Sequence, residues 1–452
     1  MAYVPVAFIL AGMTAYTVLA GADFGAGLWT LLSAGPSAHA RRIRDEARHA
    51  MGPVWEANHV WLIFVLVVAW TAYPVAYGSI TSTLAAPLLI AAIGIIFRGA
   101  AYALRGVADG SRAAEYLFAL SSVLTPFALG TAVGAIATGR VPVGNAAGNP
   151  VTSWLNPASV LIGALAVAFS GYLAAVYLAA DSVREAHEAE ADDVGTGSTG
   201  TDAAVVDRGL ADAFRRRALA AGLVAGGLAL AGLLVMRHSG LNLTHGVALA
   251  LVCVSGVAGL STLVLCWGYR FELARVTAAL AVAAVVVGWA AGQAPRFLPG
   301  MTVVQAAASE STLLALVIAV ACGSVVLIPS LALLFSLYLR GRLYLPDRPA
   351  PAPDGSAPAS AVPLVAASAD ASASSGEGAG SREGGVEARE DDERGERVLR
   401  LATVRAWGGA AGLGLVAGTG LLVFADTSWA HLLGVAFLIL CAVSVFRLTS
   451  TD

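Results

Sequence analysis

One feature governs what this chain can fold into. Stretches of about 20 apolar residues, enough to carry a helix across a ~30 Å hydrocarbon layer, follow one another along most of its length. They fall near 3–32, 54–76, 79–104, 114–137, 154–180, 217–236, 246–268, 273–292 and 311–340, with two more at about 402–424 and 430–447. Only 13% of the 452 residues are charged, where soluble domains hold about a quarter. In lipid each run must satisfy its own backbone hydrogen bonds, which a helix does and an isolated strand cannot. The expectation is an all-α integral membrane protein.

Arginines set the orientation. The connection after the first segment holds Arg41, Arg42, Arg44 and Arg48, while the next, around YPVAYGS, holds none. Arg105 and Arg112 follow, then Arg140 alone, then Arg184, Arg208 and Arg215–Arg217 against Arg237 alone. Arg270 and Arg275, then Arg296, then Arg340 and Arg342 continue the alternation through nine segments. Positive charge stays on the cytoplasmic side, so the N-terminus is expected outside and the C-terminus inside. The first segment has no basic residue before Arg41 and reads as a retained spanning helix rather than a signal peptide.

Residues 344–400 are rich in Pro, Ala, Ser, Gly and acid, with too little apolar surface to fold. This stretch is expected to be a disordered cytoplasmic linker between a core at 1–343 and a transmembrane hairpin at 401–452. The polar stretch 186–209 is expected to be a second flexible cytoplasmic loop. Cys253, Cys266, Cys322 and Cys441 lie inside apolar runs without CxxC spacing and read as small buried hydrophobes, not a metal site. Every one of the 27 basic residues is arginine, a bias that carries no functional reading.

Three ionisable residues lie where lipid should exclude them. Asp23 sits in GADFGAGLW of the first segment, Glu56 in GPVWEANHVW at the start of the second, and Arg98 in IIFRGAAYALR of the third. At 1.5 Å per residue Asp23 and Arg98 lie ~14 and ~9 Å from the cytoplasmic ends of their helices, and Glu56 lies in the first turns of its own, on the same side of the midplane. Two acids and one base thus share one slice of membrane. An unpaired charge there costs about 3 kcal/mol or more, so the three are expected to face inward and meet. One arginine can neutralise one carboxylate bidentately. The other carboxyl is then left in a poor dielectric beside a like charge, where it can hold or lose a proton. The same cluster could equally serve as a structural lock. Gly21, Gly25 and Gly27 let another helix approach Asp23 closely. Asn58 reads as an interhelical hydrogen-bonding residue. His59 lies near the face of Glu56, but a lone His near a helix end is more often an interface residue than a ligand. Trp55, Trp61 and Trp70 read as interfacial anchors or packing residues.

These motifs, with AWTAYP after the second and FLPGMTVVQAAASESTLLALVIAV near the end of the core, resemble subunit II of the cytochrome bd-type quinol oxidases over roughly residues 3–343. The resemblance implies nine core helices, arranged as two four-helix bundles and a peripheral helix, paired in a heterodimer with a similar haem-bearing subunit I. It implies that the haems b and d and the main quinol site belong to subunit I. This chain would then carry no catalytic residue, cofactor or metal of its own. Subunit II would support quinol oxidation and reduction of oxygen to water, and contribute to proton uptake from the cytoplasm. Asp23, Glu56 and Arg98 fall on the family's first-, second- and third-helix positions; Glu56 stands where aspartate is frequent, and His59 where glutamine also occurs. The expected setting is a bacterial cytoplasmic membrane, with lipid and quinol as neighbours and no nucleic acid. The rival readings are a proton-coupled secondary transporter and a catalytically silent scaffold. The linker and C-terminal hairpin extend beyond the family core.

Overall fold

The computed structural model describes residues 1–33, 38–49, 55–103, 112–196, 201–236, 241, 243 and 245–339. The expected linker at 344–400 and hairpin at 401–452 lie outside the described residues, as do the side chains of Trp55 and Glu56.

The helices follow in order: α1 (Val4–Leu32), α2 (Ala38–His49), α3 (Trp55–Ala72), α4 (Pro74–Thr83), α5 (Ala85–Ala103), α6 (Arg112–Ala137), α7 (Pro157–Thr196), α8 (Thr201–Met236), α9 (Gly246–Trp267) and α10 (Phe271–Gln293). A small hairpin of β1 (Arg296–Leu298) and β2 (Met301–Thr302) then leads into α11 (Val303–Ala306) and α12 (Glu310–Leu339). Among the described residues, eight helices are long and apolar enough to cross a membrane. A shorter apolar helix, Asn58–Ala72, lies within α3. The chain is a multi-pass, all-helical membrane protein.

Met1–Val317 falls within one compact unit and Ile318 begins another, so the two parts of α12 are described separately. In the first unit α1, α3, α5 and α6 pack together, as do α7, α8, α9 and α10. α1 also packs on α7 and α10, and α6 on α7. At Ala20–Gly27, α1 is buried on every face, because it has neighbours on all sides. That position lets a charge live there. The second unit's described part is an apolar helical stretch containing Pro329, with Val325, Val326 and Ile328 exposed.

Two expected loops are helical. α7 runs on to Thr196 and α8 starts at Thr201, so most of 186–209 is helix rather than flexible loop. Its acids and alanines propagate a helix already begun in the membrane, with no nucleation cost to meet again. YPVAYGS, expected as a connection, forms most of α4. Pro74 cannot donate to the α3 ladder, so α3 ends at Ala72 and Pro74, with its φ pre-set, starts a new helix. The freed Ala72 carbonyl accepts from the Ala308 amide at 2.8 Å.

The end of the bundle at Tyr73 is capped by two connections. Ser79, Ser82 and Thr83 of α4 accept hydrogen bonds from the amides of Gly144, Ala146 and Gly148 at 3.0, 2.8 and 3.3 Å. The segment after α10 folds as the β hairpin, turning at Gly300 with φ +76°. It buries Leu298, Met301, Val303 and Ala306 in a cluster with Ala72, Tyr73, Leu84 and Val141. The Phe297 ring lies 4.8 Å from that of Tyr73. The segment packs as a partly buried cap.

Candidate functional site: a buried arginine–carboxylate cluster

Arg98 comes from α5 and Asp23 from the fully enclosed stretch of α1; the two are 0% and 1% exposed. Arg98 Nε donates to Asp23 Oδ2 at 2.8 Å and Nη2 to Oδ1 at 2.7 Å, a bidentate pair. Nη2 also donates to the Asp23 carbonyl at 2.5 Å, and Nη1 to Ser122 Oγ of α6 at 2.8 Å. Four of the five guanidinium N–H bonds are thus used. Tyr102, one turn beyond Arg98, donates its hydroxyl to Asp23 Oδ1 at 3.0 Å. The guanidinium carbon lies 4.2 Å from the centre of the Phe118 ring, 4.9 Å from Phe24 and 5.6 Å from Tyr102. A buried ion pair is tolerable only when its remaining polar atoms find partners. Hydroxyls, a carbonyl and aromatic faces meet that demand here.

Glycines make the approach possible. A Cβ on Gly25 would stand 1.8 Å from the Ser170 carbonyl oxygen of α7, and one on Gly27 1.9 Å from Ser122 Oγ. A Cβ on Gly94 of α5 would meet Thr125 Oγ1 at 2.1 Å. The helices supplying the cluster therefore touch backbone to side chain, with no bulk between them.

The other sequence-selected residues divide. Asp23 and Arg98 come together. Glu56 lies in the first turn of α3 with its side chain outside the description, and so does that of Trp55. Asn58 is buried and donates to the Leu19 carbonyl of α1 at 3.5 Å, the interhelical contact expected of it. His59 Nδ1 lies 3.5 Å from Tyr16 Oη, and its ring stands 5.9 and 6.2 Å from those of Tyr16 and Phe24. Among the described residues no group of three or more His, Cys, Asp or Glu could hold a metal ion. Trp61 packs beside Tyr16, Ala20 and Phe24, whereas Trp70 is 63% exposed, as an interfacial tryptophan would be.

Sequence reasoning overlooked Ser122, Tyr102, Phe118 and a second ion pair. Tyr102 carried a legible signal, the i, i+4 spacing from Arg98. Ser122 did not, being one hydroxyl among many in apolar helices. The second pair joins Arg275 of α10 to Asp181 of α7 at 2.5 Å, with Arg275 also donating to the Tyr177 carbonyl at 3.0 Å. Both residues sat at the margins of apolar segments and passed for loop charges.

The sequence matches the family of cytochrome bd terminal oxidase subunit II across residues 1–338. The chain belongs to that family. As a bd oxidase subunit II it is 30% identical over 115 residues to the cytochrome bd ubiquinol oxidase subunit 2 of Bacillus subtilis (strain 168), 25% of this chain and 33% of that one. That match spans a third of the relative's length. A chain in the structure of bd oxidase from Geobacillus thermodenitrificans superposes with a TM-score of 0.56 at 22% identity, over 75% of this chain and 98% of that one. At such identity the likeness is one of fold. Residues 339–452 lie beyond the matched family region.

Proposed function

We propose that this chain is the haem-free subunit of a bd-type quinol oxidase. It supports a haem-bearing partner that oxidises quinol and reduces oxygen to water, and it contributes a path for protons from the cytoplasm. On this reading α3 crosses the membrane as a ninth helix, the N-terminus faces outward, and the setting is a bacterial cytoplasmic membrane. Haems b and d sit on the partner, and family membership supports that assignment.

The observation that carries the proton reading is the Asp23–Arg98 pair. A bidentate guanidinium and a tyrosine hydroxyl engage the two carboxylate oxygens of Asp23. On this reading Asp23 is the fixed charge, and Glu56, in the first turn of α3, is the acid left to exchange protons. Arg98 decides which acid does which job. A transporter would want a substrate site near the midplane between repeated halves, and nothing in the cluster offers one. A lock fits the pair itself but gives no role to a second acid at the start of α3.

The test is turnover of the complex carrying Asp23→Asn or Glu56→Gln. The reading expects normal assembly and haem content with Glu56→Gln, and loss of oxygen consumption together with charge translocation. Full activity and charge translocation in both variants would remove it.

A further inference from the structure

We propose that Tyr16 and His59 continue the proton route from the Asp23 layer toward the middle of the membrane; this rests on the proton-uptake reading above. Tyr16 lies two turns before Asp23, near the midpoint of α1, and is 8% exposed. Its hydroxyl faces His59 Nδ1 across the α1–α3 contact at 3.5 Å. Nε2, at the opposite edge of the same ring, is also buried. The ring therefore presents one nitrogen toward Tyr16 and another away from it, the arrangement a relay needs. Asp23 and Arg98 lie near enough for their charges to act on both residues.

The ionisable groups described around this pair are Asp23 on α1 and Arg98 and Tyr102 on α5. Apolar side chains close the rest: Ala20, Phe24, Trp61, Leu62, Ile95 and Leu129. One polar atom breaks the lining. Asn58 Oδ1 is buried with no hydrogen-bond partner, while Nδ2 of the same amide is engaged by Leu19. An orphaned buried acceptor is a natural seat for an internal water, here one residue from His59 and two from the acid at Glu56 read as the exchanging group.

The transfer balances with one proton in and one out. A proton reaches one ring nitrogen of His59, and the proton on the other passes to Tyr16 Oη. The phenol's original proton leaves from that oxygen, and rotation of the ring and hydroxyl resets the pair. No charge remains on either residue between turnovers. The 3.5 Å spacing is a resting one, since relay hydrogen bonds tighten when the proton moves.

The experiment uses the intact oxidase complex with its partner. Proton uptake is followed with a pH dye during an oxygen pulse, alongside oxygen consumption, in water and in deuterium oxide. Tyr16→Phe removes a single oxygen and keeps the ring; it is expected to slow uptake about tenfold or more and to raise the solvent isotope effect, with an unchanged haem spectrum. His59→Leu is expected to do the same, and the double variant to be no slower than the worse single one. A merely structural hydroxyl would leave the isotope effect where it was. If His59→Leu fails to assemble, Tyr16→Phe decides alone. Wild-type uptake in Tyr16→Phe, with Asp23→Asn or Glu56→Gln slowed, overturns this inference and leaves the broader reading standing. Wild-type uptake in all four variants removes both. Slowing by Tyr16→Phe with both acid variants unaffected also overturns it, because the relay takes its protons from that layer.

Discussion

Arg98 binds Asp23 three times: through Nε and Nη2 to the two carboxylate oxygens and through Nη2 to the backbone carbonyl of the same residue. The guanidinium is therefore bound to the helix α1 as well as to its side chain. An interaction of this kind aligns α5 with α1 in height and rotation together, which an apolar contact cannot do.

The first prediction concerns that alignment. Arg98→Leu strands a buried carboxylate and should cost about 3–5 kcal/mol, seen as loss of the copurified complex. Combining Arg98→Gln with Asp23→Asn removes both charges and should recover assembly, since an amide pair can still hydrogen-bond. Thermal unfolding of the detergent-solubilised complex measures both.

Helix approach is tested at glycine. Gly25→Ala places a Cβ against the Ser170 carbonyl, where only backbone movement can make room. It should destabilise by about 1–3 kcal/mol. Gly226→Ala, with nothing within 4 Å of the new Cβ, should unfold at the wild-type temperature.

Ser122 supplies a prediction about coupling. Ser122→Ala leaves Arg98 Nη1 without its acceptor, at about 1–3 kcal/mol. Gly27→Ala pushes on the same hydroxyl from the other side. The two act through one atom, so the double variant should cost clearly less than the sum of the singles.

At the other end, Ser79→Ala, Ser82→Ala and Thr83→Val together release the connection at 144–148 from α4. Each lost bond is worth about 1 kcal/mol. Amide exchange at Gly144, Ala146 and Gly148 should accelerate, with exchange around Asp23 unchanged. Equal acceleration at both ends would mean that the cap and the cluster unfold as one unit.

How much of this was readable beforehand differs by residue. Asp23 and Arg98 stood out because a charge amid 20 apolar neighbours must be compensated by an opposite one. The eight helices among the described residues that are long and apolar enough to cross a membrane were legible because lipid permits little else. α4 was missed because its serines and threonines look like loop residues until one sees them bond to their own helix carbonyls. Asp181 and Arg275 were missed because each lies within a turn of a segment end, where charges ordinarily meet water.

The sequence by itself marked the long apolar runs and the charges set within them, because a run of that length can cross lipid only with its backbone hydrogen bonds closed in a helix. Only the tertiary structure decided which side chains face one another. Rotation about each helix axis is set by neighbours such as Ser170 against Gly25 and Ser122 against Gly27, distant in sequence. Counting along the chain left two acids open to one guanidinium. The close packing of α1 against α6 and α7 brought Asp23 to its fork.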